Sequence, residues 1–335
     1  MKVFFIGGTK RGVMTLQALI EQGVHVVGVL SLTQDAHEQD RCEGQIEDLA
    51  HAHGIPVREA KYVRDGALGR WAVEEREAEA AIGVGVRILL PKAFYMAFPH
   101  GCWGIHDSLL PEYRGFAPLN WAILNDEART GVTVFQISDQ MDGGDILLQQ
   151  EVSIGPADTA PQVYERVCDA TVSVAIEGVR QLAEGLARPI PQDYSAGSFT
   201  CARTPVDGQI DWTQPSRRVF NQIRALTFPY PGAFTHYRGQ RLIVLAAEEI
   251  ANPPRFAGRI PGRVVKILDG LGVDVLTGDG MLRITQVSMD GRSSSRADDV
   301  IRSVKTSLGL TESDFQSRLA ELERRLEAMT VHATH

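Results

Sequence analysis

Positive charge is in short supply in this chain. Its 34 lysines and arginines stand against 42 aspartates and glutamates, for a formal net charge of −8 at pH 7. The resulting field repels polyanions, which makes nucleic acid an unfavoured partner and anionic membrane another. Cysteine is scarce too. Cys42, Cys102, Cys168 and Cys201 are scattered and form no CxxC pair. That spacing excludes a zinc ribbon and a disulfide framework, so no metal is expected and the thiols read as reduced, as in a cytoplasmic protein. Long apolar runs are missing: no segment approaches the roughly 20 residues that a bilayer-spanning helix needs. The opening residues Met1-Lys2-Val3-Phe4-Phe5-Ile6-Gly7-Gly8 read as a buried strand and are too short for a signal peptide. Internal repeats and low-complexity tracts are also lacking, which sets aside solenoid and disordered architectures.

What is present is an ordinary globular mix, 44% hydrophobic and 23% charged, over 335 residues. That length suits two domains with a full core in each. Apolar runs at 3–7, 24–31 and 81–86 alternate with stretches of helical spacing at 10–22, 45–53 and 67–78. Further strands are expected at 104–106 and 131–137. Continuous apolar strands separated by amphipathic helices predict an α/β, Rossmann-like, mostly parallel sheet covered on both faces. In such sheets ligands sit beyond the carboxyl ends of the strands. A long helix over 159–184, with Val163, Val167, Val174, Ile176 and Leu182 on its apolar face, closes the first domain, 1–187. Proline and small polar residues mark 188–209 as a linker. Past a helix at 217–227, short strands at 233–237, 241–247, 262–267, 273–276 and 282–287 follow with glycine turns. That pattern predicts a small OB-like β-barrel domain over 210–310. A last helix, 311–330, opens on Thr311 three residues before Asp314. It carries Phe315, Leu319, Leu322, Leu326 and Met329 at heptad spacing. Such a seam packs on its own domain or joins two copies in a homodimer.

The densest chemistry lies around His106, in Gly104-Ile105-His106-Asp107-Ser108-Leu109-Leu110-Pro111-Glu112-Tyr113-Arg114-Gly115. A lone strand histidine is more often structural. This one is flanked by small residues and followed by a fixed turn, so a neutral imidazole there can move a proton near pH 7. Asp142 precedes Gly143-Gly144, which allow close backbone approach to a ligand. The plain alternative is a turn-capping aspartate, and Asp145 is a rival that directly precedes a strand. An aspartate bonded to imidazolium stabilises the cation and fixes the ring. Gly7-Gly8-Thr9-Lys10-Arg11-Gly12 lacks both the Walker ending and the GxGxxG spacing, and reads as a tight strand-to-helix turn.

The segments His106-Asp107-Ser108-Leu109-Leu110-Pro111, Tyr113-Arg114-Gly115, Ala117-Pro118-Leu119-Asn120-Trp121, Gly131-Val132-Thr133 and Asp142-Gly143-Gly144-Asp145-Ile146-Leu147 resemble the folate-dependent formyltransferases. That family includes methionyl-tRNA formyltransferase, glycinamide ribonucleotide formyltransferase and the amino-sugar N-formyltransferases. The stretches 84–91, 203–212 and 224–233 extend the resemblance along the whole chain. The resemblance implies formyl transfer from 10-formyltetrahydrofolate to a primary amine, without a metal. His106 would stabilise the tetrahedral oxyanion and shuttle protons, and Asp142 would orient it and place a water. Arg87, Leu89, Leu90, Ile137 and Asp139 would meet the folate. Ser108, Arg114, Gly115, Pro118 and Asn120 would meet the acceptor.

One departure stands out. The family carries an asparagine two residues before its histidine, as an oxyanion donor, and Gly104 occupies that position here. Losing one such donor costs about 3–4 kcal/mol. Three readings stay open: Asn120, Ser108 or a backbone N–H compensates; another one-carbon group, formimidoyl or hydroxymethyl, is transferred; or the chain is a catalytically weak folate- or sugar-binding protein. The acceptor expected is a small amino sugar, nucleotide-linked or part of a natural product. The alternative is initiator methionyl-tRNA. The stretch 34–43, where the tRNA enzymes carry a basic insertion, holds four acids and one base and argues against tRNA.

Overall fold

A computed structural model describes residues 1–33, 42–289, 291, 293–310, 316, 319–320 and 322–324. The acidic stretch 34–43 lies almost wholly outside the described residues, as does most of the helix and seam expected at 311–330. The described chain forms two compact units, Met1–Arg203 and Thr204–His335.

In the first unit the strands are β1 (Lys2–Gly7), β2 (His25–Leu32), β3 (Val57–Ala60), β4 (Ala80–Val84), β5 (Cys102–His106), β6 (Arg114–Gly115), β7 (Arg129–Gln136), β8 (Ile146–Ser153) and β9 (Phe199–Thr200). Its helices are α1 (Lys10–Glu21), α2 (Glu43–Ala52), α3 (Ala67–Arg70), α4 (Lys92–Tyr95), α5 (Pro118–Leu124) and α6 (Ala160–Ala183). Seven strands make one sheet in the order β3-β2-β1-β4-β5-β7-β8. The first five pair in parallel, as the apolar runs predict. β7 and β8 join antiparallel. Phe4 and Ile6 of β1 pack with Leu30, Phe94, Phe98 and Cys102 in one buried cluster. The helix expected over 67–78 is shorter: α3 runs into a π-helical turn at Trp71–Glu75, where Trp71 meets Phe4 edge-on at 5.7 Å.

Residues 188–203, read from sequence as linker, belong to the first compact unit. Ile190 bridges to Ile146 and β9 pairs with β6. The second unit holds α7 (Ser216–Leu226), strands β10 (Ala233–Tyr237), β11 (Gln240–Glu249), β12 (Val264–Leu268), β13 (Gly272–Leu276), β14 (Met281–Ser288) and β15 (Ser295–Arg296), and α8 (Ala297–Val300). These strands form an antiparallel sheet in the order β10-β11-β14-β13-β12, with β15 beside β14. The predicted strand positions agree with it to within a few residues. Among the described residues no helix is long and apolar enough to cross a membrane.

Candidate active site

His106 is the last residue of β5, at the carboxyl edge where the parallel strands end. Its side chain is nine-tenths buried. Nε2 lies 2.8 Å from the carbonyl oxygen of Tyr113. A carbonyl only accepts, so Nε2 carries the hydrogen and donates it. In the neutral ring Nδ1 is then the free lone pair. Nδ1 lies 3.7 Å from Oδ2 of Asp142. The structure therefore brings together the two residues that the sequence singles out, with Nδ1 between the ring and the carboxylate. A proton arriving there is held electrostatically by Asp142.

The route by which Asp142 arrives differs from a simple strand-end placement. β7 is antiparallel to β5, so its last residue Gln136 pairs with Trp103, near the start of β5. The turn 137–145 brings the chain back to His106. Asp142 takes a left-handed conformation there, φ +49°. Its carboxylate accepts from the Gly115 N–H at 2.8 Å. Gln192 Nε2 donates to the carbonyls of Asp142 (2.9 Å) and Gly144 (2.6 Å) from the far side. Gly144 itself has no room for a side chain: a Cβ would stand 1.7 Å from the Gln136 carbonyl oxygen.

Arg114 has no exposed surface. Its Nη1 donates to the carbonyls of Tyr194 (3.2 Å) and Ala196 (3.0 Å), and its Nη2 to Gln192 Oε1 (3.0 Å) and the Asp193 carbonyl (3.2 Å). Tyr194 and Phe199 present their rings to it at 4.5 and 5.5 Å. Expected from sequence to touch the acceptor, this guanidinium is instead wrapped by 192–199, and one of its bonds fastens the same Gln192 that steadies the Asp142 turn.

Of the other expected acceptor contacts, Ser108 is buried and donates to the Glu112 carbonyl at 2.6 Å. Pro118 and Asn120 are buried in α5. Gly115 contributes its N–H to Asp142. Among the expected folate contacts, Arg87, Leu89 and Asp139 are exposed, Leu90 is buried in the core cluster and Ile137 packs against that cluster. Gly104 faces Phe135 across the β5–β7 pairing, and a Cβ there would stand 2.8 Å from a carbon of the Phe135 ring.

Sequence reasoning missed Gln192, Phe135 and the backbone role of Tyr113, which it read only as part of a motif. The first lies in what composition marks as a loop. Tyr113 acts through its backbone, at φ +58°. Its phenol, meanwhile, donates to Glu127 at 2.6 Å, and burial together with that carboxylate pushes its pKa up to about 12. Behind His106, Asp107 pairs with Arg11 of α1 in a mostly buried ion pair. On the other flank of the 107–113 turn opens a cavity of about 590 Å³, lined by Ser108, Glu112, Tyr113, Trp121, Asn125 and Glu127 among others.

Comparison with known proteins decides the family. The formyl transferase model matches residues 1–179, and the formyl transferase C-terminal domain model matches 203–305. The chain belongs to the formyl transferase family. A methionyl-tRNA formyltransferase of Anaeromyxobacter dehalogenans is 33% identical over 314 residues, covering 91% of this chain and 97% of the relative. Among solved structures, an N-formyltransferase of Helicobacter canadensis, crystallised with folinic acid and dTDP-3-aminofucose, superposes with a TM-score of 0.61 at 17% identity. It covers 85% of this chain and 98% of its own. HypX of Aquifex aeolicus in complex with tetrahydrofolic acid gives 0.58 at 19% identity and covers 91% of this chain. This chain spans about half the length of HypX, 47%. These two likenesses speak for the formyl transferase fold.

Replacing Arg114 with lysine removes the planar fork that serves four acceptors. The ammonium cannot reach them all, so buried carbonyls lose their partners. Thermal unfolding of Arg114→Lys should show a loss of about 2–4 kcal/mol, in the range for an unsatisfied buried network. An unfolding midpoint equal to that of the parent protein would refute the clamp.

Proposed function

We propose that this formyl transferase moves a formyl group from 10-formyltetrahydrofolate to the primary amine of a small amino sugar. The observation that carries the reading is the His106–Asp142 contact, with Nδ1 as the one ring nitrogen free to take a proton. The acceptor nitrogen attacks the formyl carbon and forms the C–N bond. Nδ1 receives the proton that the amine sheds, and the Asp142 carboxylate stabilises the imidazolium. As the tetrahedral intermediate collapses, the bond to N10 of the folate breaks and that nitrogen takes up the proton held by His106, which returns the ring to its neutral form. The products are an N-formyl amide and tetrahydrofolate. Folate-bound relatives of the same fold support the donor. The exposed loop residues Arg87, Leu89 and Asp139 are the proposed contacts for it, from the segments after β4 and β7.

The acceptor class rests on two observations. The cavity beside the 107–113 turn falls in the 300–1,000 Å³ range of small-ligand sites; it is lined by Ser108 and Tyr113 rather than by His106 or Asp142, so it would seat the body of a small acceptor and not its reacting amine. The chain as a whole carries −8, and its 34–43 stretch is acidic, the wrong sign for binding tRNA through phosphates. The second reading, initiator methionyl-tRNA, is supported by the name of a relative 33% identical along almost its full length.

Tetrahydrofolate release should be followed with 10-formyltetrahydrofolate and, in parallel, nucleotide-linked amino sugars and charged initiator tRNA. Turnover on a sugar and none on tRNA is the expected result; the reverse hands the site to tRNA. Turnover on neither ends the transferase reading.

On the active acceptor, His106→Asn and Asp142→Asn should each lower kcat by about 10²–10⁴-fold while the protein still folds. Either variant retaining full kcat would remove that residue from the mechanism.

A further inference from the structure

Gly104 leaves no vacancy beside His106. Residues 104 and 106 alternate onto one face of β5, and antiparallel β7 sets Phe135 opposite Gly104 and Thr133 opposite His106 on that face. The ring of Phe135 leans over Gly104. Two of its carbons stand 2.8 and 3.0 Å from where a Cβ would be, and Ile137 Cγ1 stands at 3.4 Å. The same ring meets His106 edge-to-face, with centroids 6.5 Å apart and planes at 84°. That arrangement is among the favourable geometries of aromatic pairs. The register of β7 against β8 also shifts between Val134 and Phe135. Bulges of this kind re-aim side chains and gather next to active sites.

We infer that Phe135 is a positioning residue for formyl transfer: its ring replaces a side chain at 104 with an apolar wall, excludes water there and holds the His106 imidazole in plane for Asp142. The inference rests on the proposed transferase reading and deepens it. Over Gly104 this wall is built of Phe135 and Ile137 carbons, and excluding water there strengthens the pair between Nδ1 and Asp142. Residues 104 and 135 are then one unit. A side chain at 104 requires the ring at 135 to move.

The test is a double-mutant cycle of Gly104→Asn, Phe135→Val and the pair. Gly104→Asn alone should lower the melting temperature and reduce kcat more than about tenfold, the opposite of what restoring a missing donor would do. Phe135→Val should lower kcat with little change in KM for the folate, and shift the His106 Cε1 proton resonance as the ring current is lost. The pair should melt above Gly104→Asn and turn over faster than either single variant. Phe135→Leu, which keeps bulk without the ring, should recover stability but not the resonance. Where Gly104→Asn does not accumulate as folded protein, Gly104→Ala meets the same ring carbon and takes its place in the cycle.

Gly104→Asn with parental melting and unchanged or higher kcat overturns the inference. So does a pair whose effects are the sum of the singles, or a His106 resonance indifferent to position 135. The melting and resonance arms need no acceptor. If the parent protein turns nothing over, the transferase reading fails while the coupling of 104 to 135 is still decided.

Discussion

The contact between His106 Nδ1 and the Asp142 carboxylate, 3.7 Å apart, is the constraint that the first unit is built to keep. Asp142 and the residue that anchors His106 both sit on left-handed backbone. Tyr113, whose carbonyl anchors Nε2, has φ +58°, and Asp142 has φ +49°. A left-handed non-glycine residue costs about 1–3 kcal/mol and persists only where its surroundings over-determine it. Both are over-determined here. The Tyr113 N–H donates to Ser198 Oγ at 3.0 Å. Asp142 is gripped through its side chain by Gly115 and through its carbonyl by Gln192. The energy stored in these two turns is offset by hydrogen bonds from two segments remote in sequence, 114–115 and 192–198.

Those segments hold because Arg114 is buried at their centre. A buried cation is costly in a dry interior unless its hydrogens are used and its charge is spread. Its two Nη groups donate to three carbonyls and one amide oxygen and two aromatic faces meet its guanidinium, which leaves the buried Nε–H as the one hydrogen position without a partner among the described residues. Arginine suits this because its planar fork reaches several acceptors at fixed angles, which a lysine ammonium does not. The chain past α6 is thus drawn back over the sheet edge, and Gln192 arrives under the Asp142 turn as a consequence. The site depends on a charge that never meets solvent.

The fold was largely legible in the chain because its signals are local. Apolar runs in β1, β2 and β4 mark a sheet buried on both faces, and glycine-punctuated short runs mark the second unit's strands. His106 and Asp142 were legible for the same reason: each carries a small-residue context within a few positions. Gln192, Phe135 and the role of Arg114 were not. Gln192 looks like any polar residue in a proline-containing connection, and its importance comes from a hydrogen bond reaching fifty positions back. Phe135 sits in a strand that would be apolar in any case, and only the β5–β7 register tells that it faces Gly104. Arg114 lies in a loop motif where a surface or ligand-facing arginine is the common outcome, and burial is a property of the assembled chain. The antiparallel turn of β7 was likewise invisible, since a buried strand reads alike in either direction.

The commitment of Nε2 to a main-chain carbonyl has a consequence for the direction of chemistry. A ring held by one nitrogen has a single working edge, and here that edge faces Asp142. In the proposed reaction, proton transfer would pass through the gap between Nδ1 and the carboxylate, which is wider than a direct hydrogen bond. The gap suits a hydrogen borne by a third party, either water or an acceptor amine, lying between two groups that attract it. Phe135 stands edge-to-face against the same imidazole, and a charged group placed against that apolar ring would lose its hydration without compensation. In the proposed reaction the acceptor nitrogen would therefore approach along the Asp142 side. The same two turns on left-handed backbone define that approach, because one anchors Nε2 and the other carries the Asp142 carboxylate.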